Sequence, residues 1–107
     1  MKISEEYKAL FFEEARKRMR TLQDASILLE MHEDLPASNL KDARIAAHSL
    51  KGDAMMMEFG EIVEIAAALE KLLLDAEASE GKFDPNLFLQ YVQLLIQLIG
   101  QRNAYQK

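Results

Sequence analysis

The chain has 107 residues, two histidines and no cysteine, so a disulfide scaffold and a thiolate metal site are excluded, and each imidazole can be weighed in turn. His32 lies in the run Met31-His32-Glu33-Asp34. Sequence neighbours on a helix point to different faces, so this imidazole and these acids do not converge on one ion. His32 reads as a surface residue. His48 has a more informative address. It follows Ala47, which places it just off an apolar seam in mid-helix, with Lys51 and Gly52 as its helix-surface neighbours. A glycine inside a helix costs about 1 kcal/mol relative to alanine, yet the seam continues on both sides of Gly52. Helical side chains lean toward the N-terminus, so any side chain at position 52 would lie back over His48. Glycine leaves the imidazole uncovered. The plainer reading is a half-exposed histidine beside a packing glycine.

A partner for the imidazole is available on the next helix. Glu70 follows Leu69 as His48 follows Ala47, and a helical hairpin turning near residues 58–60 pairs positions equidistant from the turn. His48 is 11 residues before Phe59 and Glu70 is 11 after it. A carboxylate there accepts a hydrogen bond from one ring nitrogen and leaves the other as a solvent-facing nucleophile. Otherwise Glu70 is a solvated acid at the edge of a seam, and Lys51 a solubilising lysine.

Four helical elements must hold these groups, expected at about 4–31, 39–57, 60–79 and 85–104. Ser4 can cap the first, ahead of Glu5 and Glu6, and Phe11, Ala15, Leu22 and Leu29 give its seam. Pro36 breaks the chain, and Ser38 or Asn39 is expected to cap the second helix. Its seam, Leu40, Ala43, Ala47, Leu50, Ala54 and Met57, steps by three and four over five turns. Ile62, Ile65, Leu69, Leu72 and Ala76 form the third seam, which ends where Gly81 suits a left-handed cap. Asp84-Pro85 is a strong start signal, and Leu87, Tyr91, Leu94 and Leu98 predict the fourth seam, flanked by Phe88 and Leu95. No segment alternates as a strand would. The expectation is an all-α, antiparallel up-down four-helix bundle, a single domain over residues 1–107, with the first helix packed either alongside the others or across them.

Composition removes several classes of function. A net charge of −5 and a pI near 5.0 disfavour a phosphate backbone, so nucleic acid is not an expected partner. There is no glycine-rich phosphate loop and no acid cluster suited to holding magnesium, so no resident metal or cofactor is expected. MKISEEYKAL lacks the apolar stretch of a signal peptide. The greasiest region, Phe88 to Ile99, is interrupted by Gln90, Gln93 and Gln97, so no membrane span is expected. The absence of cysteine agrees with a reducing compartment, and the chain reads as a cytoplasmic monomer.

The segment Ala47-His48-Ser49-Leu50-Lys51-Gly52, within AHSLKGDA, resembles the phosphoacceptor motif of histidine-containing phosphotransfer (HPt) domains. The register runs without a gap through MMMEFGEIVEIAAALE, so Glu70 falls where that family has its histidine-supporting acid. FFEEARKRM of the first helix is also similar, and the chain most resembles the N-terminal phosphoacceptor domain of chemotaxis-type (CheA-like) histidine kinases. The resemblance implies a phosphoryl carrier, not itself an enzyme. His48 would accept a phosphoryl group from a histidine kinase or another upstream donor and pass it to an aspartate on a response-regulator receiver domain. Lys51 would screen the phosphoryl charge, Glu70 would fix the ring, and magnesium would come with the partner. Gly52, Arg44, Ser49 and Met55 would serve access and docking. Three departures from the family are Glu58 where a glycine is usual, Met55 near a usually small position, and Ile45 where chemotaxis kinases commonly carry an arginine. The alternative is an unphosphorylated docking or scaffold module that binds a receiver or kinase.

Overall fold

The computed structural model describes residues 4–32 and 34–105. They form four helices, α1 (Glu5–His32), α2 (Ala37–Met56), α3 (Gly60–Ala78) and α4 (Pro85–Tyr105). The side chain of His32 lies outside the described part. Each helix packs on two neighbours, α1 on α2 and α4, and α3 on α2 and α4, which closes a four-sided antiparallel bundle. α1 therefore runs with the bundle instead of capping it. At about 1.5 Å per residue its 28 residues account for the 43 Å long axis.

The ends of the helices follow local chemistry, with one exception. Ser4 Oγ accepts the Tyr7 amide at 3.3 Å, and Asp84 Oδ1 accepts the amides of Asn86 and Leu87 at 2.9 and 3.3 Å ahead of α4. The expected cap of α2 by Ser38 or Asn39 is not formed. α2 starts earlier, at Ala37, with Pro36 in the cap position and no side-chain cap bond, because proline's fixed φ already suits the entry to a helix. Both α2 and α3 end in a Schellman motif. The Phe59 amide reaches the Ala54 carbonyl at 3.0 Å, and the Gly81 amide reaches Ala76 at 2.7 Å. The left-handed residue in these motifs is Glu58 (φ 61°) and Glu80 (φ 58°), the latter followed by Gly81 (φ 86°).

All the seam residues expected in α1 and α2 are buried. α3 and α4 are each rotated from expectation. In α3 the interior row is Ile62, Ala66, Leu69, Leu73 and Ala76, while Ile65 and Leu72 are half-buried at its flank. In α4 the interior belongs to Phe88, Val92 and Leu95. Leu94 is 40% exposed, and Leu87, Tyr91 and Leu98 are half-buried. α4 carries two adjacent apolar rows, and packing decides between them. Phe88, in the first turn of α4, is fully buried and meets Phe83 edge-on at 6.0 Å. At the other end of the bundle Phe11, Phe12 and Phe59 stack around the α2–α3 junction, and the Arg102 guanidinium lies 4.9 Å over the Phe59 ring.

The α2–α3 hairpin is the most intimate packing in the molecule. Its interface is lined with small side chains, Ala43, Ala47 and Ala54 on α2 and Ala66 and Ala76 on α3, all buried. Small residues let the two helix axes approach closely. Polar side chains at the edge of the seam can then bridge from one helix to the other.

Candidate functional site

Three side chains meet at that edge. His48 Nδ1 lies 2.6 Å from Glu70 Oε2, and Lys51 Nζ lies 2.5 Å from Glu70 Oε1. Each carboxylate oxygen thus takes one donor. The Glu70 side chain is 14% exposed, Lys51 27% and His48 65%, so the acid is sheltered and the imidazole stands out into solvent. Burial pushes the Glu70 carboxyl up, but hydrogen bonds from Lys51 and His48, together with their charges, outweigh it and hold the group below the usual glutamate value. Glu70 is therefore ionised at neutral pH and can only accept. It follows that Nδ1 carries the ring proton, and in the neutral ring the lone pair is on Nε2. Among the described residues no hydrogen bond engages Nε2.

The reach of these side chains follows from their lean. Lys51 sits one turn nearer the junction than His48, and its side chain slants back toward the N-terminus of α2 to the level of Glu70. Arg44 does the same one turn further out, and its Nε pairs with Glu77 Oε1. Arg44 is thus engaged across the hairpin. Glu77 was not singled out in the sequence, although this lean would have pointed to it.

The space beside the imidazole is open. A Cβ built at Gly52 meets nothing within 4 Å, and the residue is exposed. Close packing therefore does not explain the glycine. Ser49, the next residue after His48, is half-buried. The same hairpin carries a broken collar of exposed apolar side chains: on α2, Ile45 (44% exposed) one turn before His48 and Met55 (59%) and Met56 (79%) two turns after it, and on α3, Leu74 (48%) one turn after Glu70. Met57 is 6% exposed and in the core, as its seam position predicts. Met56 and Leu74 were missed from sequence because each lies off its helix's apolar seam, where a surface role carries no periodic signal.

Among the described residues no group of three His, Asp or Glu side chains could hold a metal ion, and no helix is long and apolar enough to cross a membrane. A shallow depression on α4, lined by Asn86, Leu89, Gln90, Gln93 and Leu94, offers no charged or nucleophilic group. The chemistry of this molecule is concentrated on the open face of the α2–α3 hairpin.

A four-helix bundle with a solvent-facing histidine braced by an acid on the adjacent helix defines a class of surface group carrier. Residues 6–101 match the family model of the Hpt domain, and the chain belongs to that family. Hpt domains are phosphocarriers that work with kinases and receiver domains, so the protein takes part in phosphotransfer in phosphorelay signalling. No solved structure gives a significant match to the chain.

Proposed function

We propose that His48 is the phosphoacceptor, loaded by a histidine kinase or an upstream phosphorelay donor and discharged to the aspartate of a response-regulator receiver domain. The observation that carries this reading is the bond from Nδ1–H to an ionised Glu70, with Nε2 left open. In the loading step the Nε2 lone pair attacks phosphorus, the N–P bond forms and the donor's bond to phosphorus breaks. The ring becomes cationic, and Glu70 stabilises that charge through Nδ1–H. In the discharge step a carboxylate oxygen of the receiver attacks phosphorus, the N–P bond breaks and the electron pair returns to Nε2. Such transfers depend on positioning and charge neutralisation more than on covalent machinery. Lys51 keeps Glu70 ionised and contributes positive charge beside the incoming phosphoryl group. Magnesium and the remaining charge stabilisation come with the partner, and the domain itself is a cytoplasmic carrier.

The collar supports a macromolecular partner. Ile45, Met55, Met56 and Leu74 give the hairpin that carries His48 exposed apolar surface of the kind that marks interaction sites on soluble proteins. Gly52 and Ser49 leave the approach to the ring low. The test is incubation with a small phosphoramidate donor, with His48→Gln as control. The expected product is an acid-labile, alkali-stable adduct that is absent from His48→Gln. Stable labelling of that variant would move the acceptor elsewhere.

A further inference from the structure

The five methionines among the described residues differ sharply in exposure. Met19 and Met57 are each 6% exposed and sit in the core, while Met31, Met55 and Met56 are 67%, 59% and 79% exposed. Two of these three lie on the helix that carries His48, two turns beyond it. Met31 lies in the last turn of α1, at the opposite end of the bundle from the α2–α3 junction. We propose that Met55 and Met56 form a peroxide-sensitive modification site, whose conversion to methionine sulfoxide weakens docking of a receiver domain and leaves the chemistry of His48 intact. The inference rests on the proposed function, because it assumes that the collar is where the receiver docks.

The reaction needs only a thioether and hydrogen peroxide. The sulfur lone pair attacks one peroxide oxygen, an S–O bond forms and the O–O bond breaks. The proton on the transferred oxygen passes to the departing hydroxide, which leaves as water. Sulfur gives up two electrons and the peroxide takes them. The product replaces a flexible apolar side chain by a polar one, and thiol-dependent sulfoxide reductases reverse the change.

Position turns this ordinary chemistry into a selective effect. Met55 and Met56 follow His48 by two helical turns, about 10 Å along the axis. His48 is beyond reach at that distance, and Lys51, one turn (about 6 Å) from Met55, has its ammonium turned the other way, to Glu70. A sulfoxide does place a strong acceptor where the thioether offered a partner only apolar surface. A partner that covers the patch must strip water from the S=O group without replacing its hydrogen bonds. Thioethers also fill irregular gaps well, which suits one surface to both an upstream donor and a receiver.

The test uses the whole protein, dilute hydrogen peroxide, and a receiver domain chosen because it discharges the untreated phosphoprotein. Peptide masses locate each added oxygen. Loading by a small phosphoramidate donor reads His48 alone, and discharge to the receiver reads docking as well. Met31, Met55 and Met56 are expected to oxidise ahead of Met19 and Met57. Loading should be unchanged, and discharge should slow at least ~tenfold. The Met55→Leu/Met56→Leu protein, whatever its starting rate, should keep that rate through peroxide treatment. Met31→Leu should lose rate as the wild type does. Equal slowing of the double variant, or undiminished discharge by protein carrying both sulfoxides, overturns the inference. If the small donor does not load His48 at all, the proposed function fails before any oxidation and this inference falls with it.

Discussion

Replacing Glu70 by glutamine keeps the shape of the side chain and removes its second acceptor oxygen. In the wild type Oε1 takes the Lys51 ammonium at 2.5 Å and Oε2 takes His48 Nδ1–H at 2.6 Å. A glutamine amide has one oxygen and one NH2, and an ammonium can only donate. The amide oxygen must therefore turn to Lys51 and the NH2 to His48. Nδ1 becomes an acceptor, and the ring proton moves to Nε2, the atom that has to attack. Restoring the reactive tautomer sets N–H against NH2 and forfeits a hydrogen bond at a site where the acid was 14% exposed. That loss is about 2 kcal/mol, or ~30-fold in rate. Alanine at the same position removes the bracing without imposing the wrong tautomer, so it should slow transfer by roughly tenfold.

The order of the three proteins is the diagnostic result: wild type fastest, Glu70→Ala slower, Glu70→Gln slowest. The more conservative substitution does more harm. Initial rates of loading by a small phosphoramidate donor measure the order. Nitrogen NMR of the imidazole should show Nδ1–H in the wild type and Nε2–H in the glutamine variant. A glutamine variant that loads as fast as the alanine one, or that keeps the wild-type tautomer, would refute the bracing argument.

Other substitutions test neighbouring steps. Gly52→Ala should stabilise the fold by about 1 kcal/mol in chemical denaturation, because helix propensity improves and the new Cβ meets nothing within 4 Å. Gly52→Gln should also fold well but load His48 much more slowly, and undiminished loading there would show that the open approach to the ring is not needed. Glu58→Gly should stabilise by ~1 kcal/mol, since the residue sits at φ 61° and glycine relieves left-handed strain of roughly 1–2 kcal/mol while losing some chain entropy; an unchanged denaturation midpoint would count against this. For the pH dependence, the folded state depresses the Glu70 pKa, so its contribution to stability is present above the ordinary value near 4.5 and is lost as pH falls through the lower folded value. The stability difference between wild type and Glu70→Gln should therefore shrink as the solution is acidified below 4.5. A gap that stays constant down to acid unfolding would show that the carboxylate is not what the hairpin uses.

The bundle was legible where one apolar row had no rival. α2 has one apolar row that runs through all its turns, and Ile45, Ala46, Met55 and Met56 beside it do not repeat into a second, so period fixes its orientation. In α4 two apolar rows lie side by side, and a shift of one position rotates the helix about 100° at little cost in pattern. Only the volume to be filled separates them, and a fully buried Phe88 fills it where Leu87 would not. That volume belongs to the other three helices, so no reading of α4 by itself contains it. The Glu58 turn is a similar case. A glycine would have announced a left-handed residue there, whereas a glutamate held in that conformation by the Phe59-to-Ala54 hydrogen bond announces nothing.

The His48–Glu70 contact was legible for a geometric reason. A tight helical hairpin fixes register at its turn, and side chains on both sides lean by known amounts, so equidistance from Phe59 suffices to pair them. The same lean decides what Lys51 and Arg44 can reach, and it directs both cations across the hairpin, to Glu70 and Glu77. The consequence is a division of labour on one face. Arg44 and Lys51 are anchored by the acids of α3, the imidazole projects between them, and Ile45, Met55, Met56 and Leu74 add exposed apolar surface to the same hairpin. A face built in this way holds a partner by shape and hydrophobic contact and presents to it one reactive nitrogen.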